Sequence, residues 1–446
     1  MKKILFLMLM LLAAVSLYGK PKYVFLFIGD GMAMPQRMVA EDFSRSTGKG
    51  CLEINNFPYH GTTRTKSAGD LITDSAAAAT AIACGEKTKN GRLGISADGK
   101  RKLESVAKVA KRNGKKVGII TSVTINHATP GGFYANRMSR GEYYEIGLDL
   151  IASGFDYFGG GAVAKPDDKK SPLYRGNIYT LAQKAGYTVV SDRAGLMALK
   201  PGGKVLARGT DGYLPGYIDR KYYPEVPTLA DFTAKGIELL DNPNGFFMMV
   251  ESGAIDLAGH ANEAATNLFE VLALDEAVKV ALKFAEKHPD ETLIVVTGDH
   301  ETGGMTMGFA GSGYTMHVER LALQKCSLGQ FKTFMKNAKK EAEKSGKSFT
   351  FDDAKKLLNQ YFSFEFSGNS PMRVSGADEE LLKSYFQQGK LEVGARIVMS
   401  RKAGIGWTSG GHTAMPVSTT SYGAGAKMFT GFYENTDIAK KLKSVL

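Results

Sequence analysis

Three stretches of the chain share one pattern: "YVFLFIGD" at 23–30, "GFFMMVE" at 245–251 and "TLIVVTGD" at 292–299 run through consecutive apolar residues and close on a carboxylate. A strand with one wet face alternates apolar and polar residues. A run without alternation has to be covered on both faces, which is the condition of a parallel sheet inside an α/β protein. "KVGIIT" at 116–121 is a fourth run of this kind, preceded by the helical pattern "KLESVAKVAKRNG". Between the last two strands, "NLFEVLALDEAVKVALKFAEKH" (267–288) repeats apolar residues at helical spacing. The pattern predicts an α/β fold, a three-layer sandwich with a mainly parallel central sheet flanked by helices.

Around those runs the chain reads as one domain with two peripheral insertions, at about 160–225 and about 305–400. The second holds an amphipathic helix near "FKTFMKNAKKEAEKSG". No Pro-, Ser- or Gly-rich linker divides it. Residues 1–19 place Lys2 and Lys3 before an apolar run from Ile4 and then small residues, the order of a secretory signal peptide. That run is too short for a comfortable membrane span. The expectation is therefore an exported chain, periplasmic or secreted, with no membrane span once the leader is removed, and residues 20–446 as the mature domain. The net charge of +12, or +10 without Lys2 and Lys3, is spread along the chain with no basic run, so nucleic acid is not an expected partner. Cys51, Cys84 and Cys326 allow one disulfide at most and offer no thiolate zinc spacing.

Open parallel sheets bind ligands beyond the carboxyl ends of their strands. There the sequence sets Asp30; then His127 and Thr129 beyond "KVGIITSV"; then Glu251, Asp256 and His260; then Asp299 and His300. Any one of these could cap a helix or form a turn. Acids and histidines gathered at one sheet edge are instead a ligand set for zinc and harder divalent ions. Asp256 and His260 stand four apart, so a helical turn points both at one ion. His412, in "WTSGGHTAM", follows two glycines that permit tight placement. His60, His288 and His317 stay unassigned.

"TDSAAAATAIACG" (73–85) begins as a helix, with Asp74 or Ser75 at its cap and alanines propagating it. A hydroxyl there faces free backbone N–H groups and the positive end of the helix, which attract an anion. Beside a divalent ion it loses its proton near neutral pH. Ser75 is thus a candidate nucleophile and phosphate a candidate target.

In order and spacing, "GDGM", "TDSAAAATA", "NHATPGGFYANRMSR", "VESGAIDLAGHAN", "VTGDHETGG" and "SGGHTAM" resemble the alkaline phosphatases, from about Tyr23 to the C-terminus. "YFGGG" (157–161) and "PTLADFTAKGIELLDNPNGFF" (227–247) extend the resemblance. It implies a metal-dependent phosphomonoesterase in which Ser75 becomes a phosphoserine. It implies one Zn2+ at Asp256, His260 and His412, and a second Zn2+ at Asp30, Asp299 and His300 with Ser75. A Mg2+ is implied at Asp30, Thr129 and Glu251. Arg140 falls where the family keeps its phosphate-clamping arginine, a role suited to a bidentate guanidinium; without the family it reads as an exposed arginine. Asp74 and His127 are expected as supporting neighbours of the ligands. The family commonly forms homodimers, and small phosphate monoesters are the implied substrates.

The chain departs from the family at three points. His127 stands two residues before Thr129, where members carry Asp or His. Leu257 stands where some relatives place Lys or His, and three cysteines cannot supply the family's paired disulfides. A phosphodiesterase or sulfatase on the same two-metal core is the alternative enzyme. Arg140, Thr129 and Glu251 favour a dianionic monoester, and Ser75 has no "C-x-P-S-R" context. A non-catalytic metal- or phosphate-binding protein would need a lost nucleophile or ligand, and none is lost.

Overall fold

The four apolar runs lie side by side as parallel strands. They are β1 (Tyr23–Gly29) and, by their places in the chain, β3 (Lys116–Thr121), β7 (Phe246–Ser252) and β8 (Thr292–Gly298). Their spatial order is β8-β1-β7-β3. The computed structural model describes residues 20–446; the expected leader lies outside them. The remaining strands are β2 (Tyr59–Arg64), β4 (Tyr157–Gly160), β5 (Tyr187–Val190), β6 (Lys204–Arg208), β13 (Val417–Gly423) and β14 (Gly431–Glu434) in the same sheet. Two small pairs are formed by β9 (Glu301–Thr302) with β12 (His412–Thr413) and by β10 (Met305–Met307) with β11 (Ile405–Trp407). The large sheet reads β14-β2-β13-β8-β1-β7-β3-β4-β6-β5, and within it β13 alone runs antiparallel to its neighbours.

Every residue of β1 is buried. Phe25 and Phe27 point into one core with Met248 and Val250, while Val24, Leu26 and Ile28 point into another with Phe247 and Met249. The first core is roofed by helices Met34–Ser46, Leu229–Leu240 and Ala264–Ala285. The second is roofed by Ser75–Cys84, Val106–Arg112 and Asn435–Val445. This is the expected sandwich, and it explains the absence of alternation, since each such side chain contributes about 1.5–3 kcal/mol on burial. The helix expected in "KLESVAKVAKRNG" starts only at Val106, because the Ser105 hydroxyl accepts from Lys108 N at 3.2 Å and caps it there.

The segment around 160–225 adds β5 and β6 in parallel to one edge of the sheet. The segment around 305–400 carries the helices Leu328–Lys344, Phe351–Phe362, Gly376–Gln387 and Leu391–Ala403, whose buried Phe331, Leu358, Leu382 and Val398 continue the first core. No helix among the described residues is long and apolar enough to cross a membrane, and all three cysteines are free.

Candidate active site

Parallel register sets the site. Ile28 of β1 lies level with Glu251 of β7 and Thr297 of β8, and Thr121 of β3 lies level with Glu251. Asp30 and Asp299 therefore leave their strands level with each other, two residues beyond the row of Glu251, and all three are fully buried. Gly31 adopts φ +73°, and a Cβ there would meet the Thr302 hydroxyl at 2.8 Å and the Asp256 backbone at 2.9 Å. Only glycine lets the chain turn there and donate its N–H to Asp299 Oδ1 at 3.0 Å.

Asp74, not Ser75, caps the alanine helix: its Oδ1 accepts from Ala77 N at 2.9 Å. Ser75 is the first helical residue and is buried. The four alanines serve packing, since a Cβ on Gly132 would come within 2.8 Å of Ala79 Cβ. Small residues on both sides let the Ser75 helix press against the helix Ala128–Tyr134 that carries Thr129.

Around His300 Nε2 converge Asp299 Oδ2 at 3.2 Å, Asp30 Oδ1 at 3.3 Å and Ser75 Oγ at 3.3 Å. Asp256, on the helix Ala254–His260, faces His260 Nε2 through Oδ2 and His412 Nε2 through Oδ1, both at 3.4 Å. The two Nε2 atoms are 3.2 Å apart. His260 Nδ1 donates to Gly410 O at 2.7 Å and His412 Nδ1 to Thr73 O at 2.8 Å, which leaves both Nε2 lone pairs facing the carboxylate. The His300 and His412 rings stack at 3.6 Å, so these two groups adjoin. In the third group, Thr129 Oγ1 donates to Asp30 Oδ2 at 3.3 Å. Candidate ligand atoms of Asp30, His127 and Glu251 lie within 4.8 Å of one another, which brings His127 into the cluster itself. Arg140 reaches the same mouth, with Nη1 on Asp74 Oδ2 at 3.2 Å and Nη2 on His127 Nε2 at 3.3 Å.

Burial lifts Glu251 and Asp299 to about 7 and raises Asp30 well above the carboxylate range, with neighbouring carboxylates adding to the shift at all three. Asp256 is buried too, yet its contacts with His260 and His412 outweigh desolvation and hold it well below that range. The same contact raises His260 to about 9. Desolvation keeps His300 neutral and lowers His127 to about 4, with Arg140 pushing His127 the same way. Asp30 Oδ1, Asp299 Oδ2, Glu251 Oε1 and His127 Nδ1 are buried with no hydrogen-bond partner. Three buried carboxylates with orphaned oxygens, beside imidazole lone pairs, fit divalent cations and little else.

The alkaline phosphatase family model matches residues 21–446. The chain belongs to the alkaline phosphatase family. As an alkaline phosphatase family member it is a phosphoric monoester hydrolase of a metal-dependent class. It is similar to alkaline phosphatase 3 of Bacillus subtilis, with 32% identity over 438 residues, covering 95% of this chain and 89% of that protein. Among solved structures it is similar to the cold-active alkaline phosphatase of Shewanella sp., at 29% identity and TM-score 0.82, with 95% and 99% of the two chains covered. It is also similar to a histidine-to-glutamate mutant of the TAB5 alkaline phosphatase with Mg bound, at 25% identity and TM-score 0.67, with 96% and 98% covered.

Two residues of this alkaline phosphatase site escaped the sequence reading. Thr302 Oγ1 donates to Asp256 Oδ1 at 2.5 Å and meets His300 Nδ1 at 3.2 Å. With its one proton given to Asp256 it accepts from Nδ1–H, and this fixes the tautomer that aims the His300 Nε2 lone pair at the cluster. Glu301 accepts from Gln36 Nε2 at 2.7 Å, Thr413 Oγ1 at 2.5 Å, Gly304 N at 3.0 Å and Met305 N at 3.1 Å, pinning β9 to β12 and so seating His412. Their only signal was adjacency to His300 in "GDHETGG".

Proposed function

We propose that the chain hydrolyses phosphate monoesters through a phosphoserine at Ser75, releasing inorganic phosphate and an alcohol. The observation that carries this reading is the meeting of Ser75 Oγ, Asp30 Oδ1 and Asp299 Oδ2 around His300 Nε2, with both carboxylate oxygens otherwise unpartnered. Asp30, Asp299 and His300 would hold one Zn2+ and Asp256, His260 and His412 another; Asp30, Thr129 and Glu251, with His127 beside them, would hold Mg2+. Bound there, these ions supply the positive charge that makes a hydroxyl acidic near neutral pH and that holds a departing oxyanion.

The rest falls to the chain. Ser75 Oγ forms the new bond to phosphorus as the ester P–O bond breaks, and the alcohol leaves; water then hydrolyses the Ser75 ester and returns the hydroxyl. Asp74 fixes the helix that carries Ser75 and anchors one edge of Arg140. The remaining N–H groups of the Arg140 fork hold equatorial phosphoryl oxygens, where charge gathers in a loose transition state. Export to the periplasm or the medium, and a homodimer, belong to the same proposal.

The test compares an aryl phosphate monoester with its methyl diester on the chain stripped of metal and then supplied with Zn2+ and Mg2+. Metal-dependent monoester turnover is expected, with Ser75→Ala reducing it by about a thousandfold or more. An acid quench of the wild type traps phosphate on Ser75, located by peptide mass. Preferred cleavage of the diester would assign the chain to phosphodiester chemistry instead. Bound metal with no turnover of either ester would leave a binding protein.

A further inference from the structure

The ligand side chains do not share one kind of support. Asp30, Glu251, Asp299 and His300 are fully buried, and packing holds them. His260 lies at the rim, with 40% of its side chain exposed, on the last residue of the helix Ala254–His260. Packing cannot fix a ring so placed, and hydrogen bonds must. One is Nδ1 on Gly410 O, in the loop that leads into His412.

Two residues outside the ligand set hold the helix end and that loop. Asn262 adopts φ +52°, a left-handed conformation that asparagine tolerates. Its backbone N–H turns back to Gly259 O at 2.9 Å. Its side-chain amide donates to the same Gly259 O at 2.8 Å and to Ser409 O at 3.0 Å. One amide thus joins the end of the His260 helix to the His412 loop, and Ser409 N in turn donates to Gly303 O at 3.1 Å. From the second insertion, Arg396 on the helix Leu391–Ala403 donates through Nη1 to Ala261 O, a carbonyl that the helix end leaves without an intrahelical partner. The residues on either side of His260 and His412 are therefore tied to each other and to the insertion.

We propose that Asn262 and Arg396 are positioning residues for the ion held by Asp256, His260 and His412: they keep the two imidazoles at the spacing that ion needs, and so set how tightly it is retained. The proposal rests on the metal-centre reading above. It gives the 305–400 insertion a part in that centre, through Arg396.

Zinc-loaded protein, with Mg2+ present, is equilibrated against a graded series of a competing chelator, and the zinc retained per chain is read by elemental analysis. Asn262→Gly keeps the left-handed backbone and removes the amide; Arg396→Ala removes the guanidinium. Each is expected to weaken one zinc equivalent by about ten- to a hundredfold and to leave the other close to wild type. Arg396→Lys, which still offers an N–H to the carbonyl, should retain most of the affinity. Asn262→Asp fills the same space but offers neither carbonyl a donor, and should lose it as Asn262→Gly does. Wild-type retention in Asn262→Gly or in Arg396→Ala overturns the proposal for that residue while the metal centre stands. Equal weakening of both zinc equivalents marks a general loosening of the fold and overturns it as well. A wild type that binds no zinc removes the metal-centre reading, and the positioning role with it.

Discussion

Glu251 at the carboxyl edge of the sheet and Glu263 at the start of the long helix Ala264–Ala285 are both buried, and burial lifts both carboxyls to about 7. Their surroundings differ. Glu263 Oε1 accepts from Thr266 Oγ1 at 2.5 Å, Leu328 N at 2.8 Å and Gln324 Nε2 at 2.9 Å. Nearby, Asp219 accepts from the Ser327 hydroxyl and N–H at 2.6 and 2.8 Å, and Glu270 accepts from Tyr217 N at 2.6 Å. Glu251 has one oxygen on Thr121 and the other on nothing, and Asp30 and Asp299 repeat the pattern. A displaced titration therefore does not by itself mark a working site. What separates the two clusters is the supply of donors: the protein completes one, and the other is left for cations to complete.

The largest expected effect that would break this contrast is on metal and rate. Asp299→Asn should lower kcat/KM for an aryl phosphate by about a thousandfold and reduce the bound metal, read by elemental analysis of the purified protein. Glu263→Gln should move neither quantity. Loss of metal in Glu263→Gln would show the second cluster to be part of the centre after all. Next in size, Glu263→Ala strips three donors of their acceptor and should cost about 1–3 kcal/mol in denaturant unfolding, equally with and without added metal. A cost that vanishes when metal is removed would tie Glu263 to the ions.

The smallest effect sharpens the comparison through pH. Between its ordinary value of 4.5 and about 7, the folded chain keeps a proton on Glu263 that the unfolded chain has released. The native state then binds more protons, so stability falls as pH rises through that window. Glu270 contributes with the same sign. In unfolding experiments on metal-loaded protein, Glu263→Gln should flatten part of this slope. A slope unchanged by the substitution would place the titration elsewhere.

The centre of the fold was legible because β1, β3, β7 and β8 are covered on both faces and so carry the apolar runs that announce them. The sheet's flanks were not. β2 reads "YHGTTR" and β13 "VSTTSYG", and Thr63, Thr297 and Thr419 pair hydroxyl to hydroxyl at 2.8 Å inside the sheet, where polarity hides the strands from a hydrophobic pattern. At the site, the metal-binding candidates could be found from their strand ends. Arg140 could not, because its partner Asp74 is distant in sequence, and only the family resemblance singled it out. Thr302 and Glu301 act through contacts to Asp256 and Thr413 that no local spacing encodes.

The position of β13 has a consequence for how the molecule comes into being. It is wedged between β2 and β8, and β2 with β14 reaches the rest of the sheet only through it. His412, whose imidazole rests on the carbonyl of Thr73 beside Ser75, comes just ahead of it in the chain. A polypeptide emerging from its N-terminus therefore carries Asp30 and Ser75 through nearly the whole of its synthesis without the element that closes the sheet or the second of the two rings that face Asp256. Ser75 is made early, and the imidazole that meets the chain beside it is made late.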